Sequence, residues 1–195
     1  MGQIAIMLKK FKNINHFFHP DNNHISTDFS PFVTTIGGER LQVMQATDNN
    51  NSDLLDLERE VYKGEMPWSS FSFKTELQKT KNSLYVVVYQ ASTLVGFIGA
   101  RFLTREAHIT NIAVSPVFQG RGIGTFLLNL MIQKARDNKC ECISLEVRID
   151  NDRAKKLYSD LGFEATFIRK NYYQDDVDAV NMVCWLMPHK LKERS

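Results

Sequence analysis

The sequence predicts an α/β (α+β) domain organised on a single mixed sheet, and three features predict it. Short runs of alternating or continuous apolar residues, bounded by turn residues, recur along the chain. Longer stretches with apolar residues at helical spacing fall between some of them. The two kinds follow one another as strand, two helices, three strands, helix, strand, helix, two strands, which gives a sheet of six to seven strands and four helices. A chain of 195 residues is long enough to bury a core of its own.

The first strand is RLQVMQA, Arg40–Ala46, just after Gly37 and Gly38. Asn51 or Ser52 caps the first helix, SDLLDLEREVY, with Leu54, Leu57 and Val61 as its apolar face. Pro67 in GEMPWSS interrupts it, because proline has no N–H to give a helix. Ser69 or Ser70 starts the second helix, which runs to Leu77. SLYVVVYQ, TLVGFIGARF and AHITNIAV follow as strands, with turns at Ser92-Thr93 and Thr104-Arg105-Glu106 and a stop at Pro116. Ile123, Leu127, Leu128, Met131 and Ala135 share one side of the third helix. CISLEVRI alternates strictly and is a strand. Asn151 caps the fourth helix, which runs to Leu161, and Gly162 stops it. The last two strands lie around FEATFIRKNYY and DAVNMVCWL.

These elements occupy residues 39–188, with an N-terminal extension, 1–38, and a C-terminal tail, 189–195. In the extension Ile4, Met7, Leu8, Phe11, Ile14 and Phe18 fall at helical spacing among Lys9, Lys10 and Lys12. That pattern suits a helix on a membrane surface or a partner. It also suits a helix folded back on its own domain, the usual place for such a stripe, or a frayed tail. The net charge of +2 gives no sign of direct nucleic-acid binding. No apolar run reaches the ~20 residues of a membrane span, and the first residues lack the apolar centre of a secretory signal. Three cysteines, an odd number, argue for a reducing, cytoplasmic compartment over a disulfide framework. Cys140-x-Cys142 has no second pair, and His16, His19 and His24 have no acidic or thiol partners in the pattern, so no metal is expected. The expected state is a monomer or weak dimer.

QGRGIG, Gln119–Gly124, stands where a strand hands over to a helix. Backbone N–H groups at a helix N-terminus, backed by the aligned peptide dipoles, hold anions. Side chains obstruct that approach, so Gly120, Gly122 and Gly124 provide clearance, and Arg121 offers a charge-assisted bond to phosphate. Ile123-Gly124-Thr125 lacks the lysine of a Walker loop, and the glycine spacing is not G-x-G-x-x-G. A turn that binds nothing rarely requires three glycines.

Gln119-x-x-Gly122-x-Gly124 resembles the pyrophosphate-binding motif of the Gcn5-related N-acetyltransferases (GNAT). LEVRIDN, AKKLYSDLGF and RKNYY resemble the ribosomal-protein-alanine acetyltransferases within that family, and the likeness covers about Leu41–Leu186. The resemblance implies a mostly antiparallel sheet with splayed central strands and acetyl-CoA as co-substrate. Its pantetheine arm would lie in the gap, bonded to the backbone of Ile112, Ala113 and Val114 like an added strand. Its pyrophosphate would rest on Gln119, Gly120, Arg121, Gly122, Ile123, Gly124 and Thr125, and Asn151 matches a further cofactor contact. Glu146 matches the general base and Tyr158 the acid that protonates the CoA sulfur. Met66, Pro67 and Trp68 would line one wall of the acceptor site, and Tyr172 and Tyr173 the other. The implied acceptor is the N-terminal alanine of a ribosomal protein, the eighteenth of the small subunit.

The chemistry of the residues bears on these roles. Alternation puts Ser144, Glu146 and Arg148 on one face of CISLEVRI and its aliphatic residues on the other. A carboxylate in mid-strand has a partner or a job, here an ion pair with Arg148 or proton abstraction. Tyr158 lies two helical turns after Asn151, placed for core packing or for proton donation. An ordinary phenol titrates near ~10 and a thiol near ~8.5, so the phenol proton is present as a thiolate forms. Direct transfer in a ternary complex is expected, since Cys140 and Cys142 sit at the start of the strand, away from Glu146. At pH 7 an α-amine is roughly several hundred times more often neutral than a lysine, which makes it the easier acceptor for one glutamate. Asp175, Asp176 and Asp178 offer charge to a basic tail. Two departures touch the acceptor side: Asp150 stands where the resembling enzymes have serine, and the stretch between NYY and DAVNM is short. The alternatives are acetylation of a lysine or small-molecule amine, and a non-catalytic acetyl-CoA-binding module.

Overall fold

The structure, a computed structural model, describes residues 25–62, 68–79, 81–173 and 175–187. The amphipathic stretch of the extension, His16, His19, His24, Met66, Pro67 and the C-terminal tail lie outside the described residues. The strands are β1 (Phe32–Ile36), β2 (Glu39–Gln45), β3 (Ser83–Gln90), β4 (Thr93–Phe102), β5 (Glu106–Val114), β6 (Cys142–Arg148), β7 (Glu164–Arg169) and β8 (Ala179–Trp185). The helices are α1 (Asn51–Val61), α2 (Ser70–Leu77), α3 (Ile123–Asp137) and α4 (Asp152–Asp160). All eight strands of the described residues join one sheet in the order β1-β2-β3-β4-β5-β6-β8-β7.

The strand beyond those predicted is β1, which pairs antiparallel with β2 across Gly37 and Gly38. It is an edge strand with no fully buried residue, so its sequence, FVTTI, carries little hydrophobic patterning. Other differences are local. The N-cap of α1 is Asn50, because a single 3-10 turn, Asp48–Asn50, precedes the helix and is closed by a Thr47–Asn50 capping box. Thr93 pairs with Gln90, so the β3–β4 turn is Ala91-Ser92. The β7 strand ends at Arg169, which leaves the RKNYY aromatics in the following turn.

SLYVVVYQ has no alternation because both faces of its strand are covered. On one face Leu84, Val86, Val88 and Ile98 pack with Ile123, Leu127, Leu128 and Met131 of α3 and with Tyr158 of α4. On the other, Tyr85, Val87, Phe97 and Ala113 pack with Leu54 and Leu57 of α1 and Phe73 of α2. Among the described strands only β5 and β6 pair in parallel, and only through Glu106, Ala107 and His108 with Cys142, Ile143 and Ser144. Beyond that point β5 continues along β4 and β6 along β8, and a gap opens between them. A bulge at Thr110, held by the Tyr85 hydroxyl at 2.8 Å, shifts the alternation of β5. It places Asn111 and His108 on the α1–α2 face, and Ile112 and Val114 on the α3 face.

Tyr85 stands opposite Gly99, and a Cβ built on Gly99 would come within 2.2 Å of the Tyr85 ring. Glycine is there because the ring crosses the neighbouring backbone. Gly99→Ala is expected to cost about 1–3 kcal/mol of stability through overpacking, measured by urea unfolding. An unchanged midpoint would mean that the ring moves aside freely.

Candidate active site

After β5 the chain makes a 3-10 turn, Pro116–Phe118, and enters α3 through Gln119–Gly122. Gly120 and Gly122 have φ of 78° and 91°, the left-handed region that other residues enter with strain. Among the described residues no side chain caps α3, whereas Ser69 caps α2 through Ser72 N at 3.1 Å and Asn151 caps α4 through Ala154 N at 3.1 Å. The first helical bond of α3 runs from Phe126 N to Gly122 O. The N–H groups of Gly122, Ile123, Gly124 and Thr125 therefore have no helical acceptor and carry the positive end of the dipole. The nearest atom to a Cβ on Gly120 would be Arg153 Nη2 at 4.0 Å, and on Gly122 Ile36 Cγ2 at 3.6 Å. The cradle is open, and the residues present fit an anionic diphosphate.

The side chains around the loop are arranged less simply than its motif implies. Gln119 donates to Val114 O at 2.9 Å and accepts from Arg153 at 2.8 Å. Arg121 is drawn to the β1–β2 hairpin, bonded to Glu39 at 2.8 Å and stacked over Phe118. Arg153, which the sequence did not single out, is the guanidinium beside Gly120. Ser115 N bonds Val95 O, so alternation turns the peptide groups of Ala113 toward β4 and those of Ile112 and Val114 toward the gap. Ala113 is buried against the α1–α2 layer.

Glu146 points into a buried polar cluster on the α1–α2 face of the sheet. Its Oε2 lies 3.1 Å from His108 Nε2, and its Oε1 accepts from Asn181 at 3.2 Å and is 3.1 Å from Arg169 Nε. Burial pushes this carboxyl up. The His108 contact, the charge of Arg169 and the Asn181 bond outweigh burial and hold it below the ordinary glutamate value. Arg148 is not its partner: it bonds Asp150 and Asp175 and stacks on Tyr173. His108 went unnoticed because a single histidine in AHITNIAV looks like strand filler, and its partners lie on another strand.

Tyr158 is buried on α4 beside Phe163. Burial first, and then the nearby Tyr62, raise its phenol above the ordinary value, so it keeps its proton through the neutral range. The Cys140 and Cys142 thiols are pushed up to about 11 and about 12 by burial and by Glu106, and remain protonated at neutral pH. The Trp68 ring packs on Phe73 and Tyr85, so it belongs as much to the core as to any acceptor wall. The rings of Tyr172 and Tyr173 meet edge to face at 5.2 Å in the turn after β7. Asp175 is bonded to Arg148 and Asp178 to Lys170, so two of the three acidic residues already have partners within the chain. Asn151 spends its Oδ1 on the helix cap and keeps its Nδ2 donors for another contact.

A second carboxylate lies on the same face. Glu58 of α1 is fully buried and accepts from Asn111 Nδ2 at 2.6 Å and from Trp68 N at 3.2 Å. Burial outweighs these two uncharged donors and pushes its carboxyl up to about 7.

The profile of the Acetyltransferase (GNAT) family matches residues 51–163. The chain is 38% identical over 132 residues to the N-alpha-acetyltransferase RimI of Mycobacterium tuberculosis, covering 65% of this chain and 81% of that protein. It is 33% identical over 125 residues to the ribosomal protein bS18-alanine N-acetyltransferase of Haemophilus influenzae, covering 62% of this chain and 84% of the relative. The crystal structure of the ribosomal-protein-S18-alanine N-acetyltransferase from Escherichia coli superposes with a TM-score of 0.69 at 26% identity, over 80% of this chain and 99% of that one.

The raised Glu58 carboxyl makes a stability prediction with a definite sign. In the unfolded chain a glutamate ionises near ~4.3, in the fold at about 7. The native state holds this proton more tightly, so the contribution is complete below the lower value and is lost as pH rises through the upper one. Glu58→Gln cannot ionise and should gain on the wild type by up to roughly 3 kcal/mol between pH 5 and pH 8. Urea unfolding at the two pH values measures this, and a difference that does not change with pH would refute the raised value.

Proposed function

The chain belongs to the Acetyltransferase (GNAT) family, and from that premise we propose that it is an N-α-acetyltransferase acting on the N-terminal alanine of ribosomal protein bS18 in the cytoplasm. The observation that carries this is the gap between β5 and β6, with the uncapped glycine loop at its mouth and Glu146 on its wall. The names of the relatives and of the superposing crystal structure support the acceptor.

Acetyl-CoA supplies an acetyl thioester, and the residues of the chain do the rest. The N–H groups of Gly122–Thr125 hold the diphosphate, and the gap-facing peptides of Ile112 and Val114 bond the pantetheine amides. Glu146 takes a proton from the attacking nitrogen, and Tyr158 gives its proton to the departing sulfur. Transfer is direct, because the Cys140 and Cys142 thiols stay protonated and make poor nucleophiles. The lowered value of Glu146 bears on the acceptor. A weakly basic carboxylate suits an amine with an appreciable neutral fraction when it arrives, and an α-amine has a far larger one than a lysine. No helix among the described residues is long and apolar enough to cross a membrane.

The test offers alanine-started peptides, internal-lysine peptides and polyamines to the purified protein with acetyl-CoA. The alanine peptides are expected to show at least about tenfold higher kcat/KM, which corresponds to about 1.4 kcal/mol of discrimination. Equal turnover of lysine peptides would move the acceptor to a side chain. Glu146→Gln should lower kcat about 10²-fold or more while leaving acetyl-CoA affinity within about twofold, and unchanged turnover would remove it as the base. Gly122→Glu brings backbone strain and negative charge into the cradle. Calorimetry should then detect no acetyl-CoA binding, and wild-type affinity would place the diphosphate elsewhere.

A further inference from the structure

Three contacts run without a break from Glu146 toward the start of β5. Glu146 Oε2 lies 3.1 Å from His108 Nε2. His108 Nδ1 lies 2.8 Å from Ser144 Oγ. Ser144 Oγ donates to Glu106 Oε1. His108 and Ser144 are buried, whereas Glu106 is half-buried at the first residue of its strand, next to exposed Arg105. These residues line the short stretch where β5 and β6 are paired, while the gap for the substrates begins just beyond it. Substrates filling the gap would close Glu146 off from water on that side.

Building on the proposed acetyl transfer, we infer that His108, Ser144 and Glu106 form a proton exit path for Glu146, leading out through the closed end of the splayed strands. The serine has one hydrogen and a neutral imidazole has one, so the chain of contacts carries a proton in either of two arrangements. In the first, Glu146 holds the proton taken from the amine and shares it with Nε2, Nδ1–H donates to Ser144, and Ser144 donates to the Glu106 carboxylate. In the second, Nε2–H donates to the Glu146 carboxylate, Ser144 donates to Nδ1, and Glu106 holds the proton. Passing from the first to the second breaks Glu146 O–H, Nδ1–H and Ser144 O–H and makes Nε2–H, a new Ser144 O–H and Glu106 O–H. One proton moves from Glu146 to Glu106, the imidazole exchanges tautomer, and no net charge stays on the ring. Glu106 then releases the proton to water. Between turnovers, with the gap open to solvent, Glu106 takes up a proton from water, the reverse shift carries a proton back to Glu146, and Glu146 releases it to water in the open gap, which restores the starting tautomer.

The surroundings keep this path directional. Arg169 of β7 and the Asn181 amide of β8 face Glu146 and favour its carboxylate form. The phenols of Tyr172 and Tyr173 lie near the same end. Around Glu106 stand the Cys140 and Cys142 thiols, which stay protonated at neutral pH. The Arg105–Glu141 pair lies at the same strand start.

The experiment compares Ser144→Thr, which keeps a hydroxyl, with Ser144→Val, which has the same shape without one. Threonine is expected to hold kcat within about twofold. Valine should lower kcat about tenfold, less than the 10²–10⁴ of a group that touches substrate. KM for both substrates should stay unchanged, and the solvent deuterium isotope effect on kcat should fall. Equal kcat and equal isotope effects in the two variants would overturn the path. A second measurement stands apart from turnover: Glu106→Gln should change the His108 tautomer balance, read from ring nitrogen chemical shifts and assigned by their loss in His108→Gln. An unchanged ring spectrum overturns the path even if no amine is acetylated. A changed spectrum in a protein that acetylates nothing supports the path and counts against the acetyl-transfer reading instead.

Discussion

Backbone hydrogen bonding between β5 and β6 lasts for three residue pairs and then ceases, and most of the molecule is organised around that cessation. Unpaired peptide groups in the middle of a sheet are costly unless something bonds them. Each strand avoids most of that cost by keeping its other neighbour, β4 for β5 and β8 for β6. What remains unsatisfied, at Ile112 and Val114, is a short length of open edge, with Gln119 covering one carbonyl. An extended ligand with amide groups completes such an edge as an added strand does. The uncapped end of α3 lies at the same mouth, so amides and diphosphate can be met by backbone alone.

The same separation of strands creates the electrostatics. With the sheet open, β6 turns Glu146 toward His108 of β5 and toward Arg169 and Asn181 of β7 and β8, and those partners keep it ionised despite its burial. Glu58, on the same side of the sheet, is hydrogen-bonded among the described residues by the amide of Asn111 and the peptide of Trp68, both uncharged, and its carboxyl rises to about 7. Two glutamates in one layer are driven apart by what surrounds each. Glu146 has the charged form that can receive a proton. Glu58 joins α1, the central strand and the entry to α2.

Much of the fold was legible because it is written in short-range patterns. The buried run SLYVVVYQ, the alternating CISLEVRI, the serine before α2 and the asparagine before α4 each act within a few residues, and each stands where the sequence puts it. β1 was not legible, since an exposed edge strand needs no hydrophobic pattern. Residue roles at the site divide along the same line. Gly120 and Gly122 act through their own φ angles and could be read directly. Arg121 could not, because Glu39, on a hairpin far away in sequence, takes hold of it.

From β2 onward the order of strands and helices, the glycine turn with its bare helix end and a carboxylate on the inner face of β6 were set by the residues alone, all consequences of periodicity and local backbone sterics. Which groups that carboxylate meets was settled by tertiary packing. Its partners His108, Arg169 and Asn181 come from three other strands, with Asn181 lying 35 residues further along the chain. They converge because the sheet order places β8 beside β6 and because the pairing of β5 with β6 ends just past His108. Charge interactions depend on distance through space, and no periodicity along the chain encodes that distance.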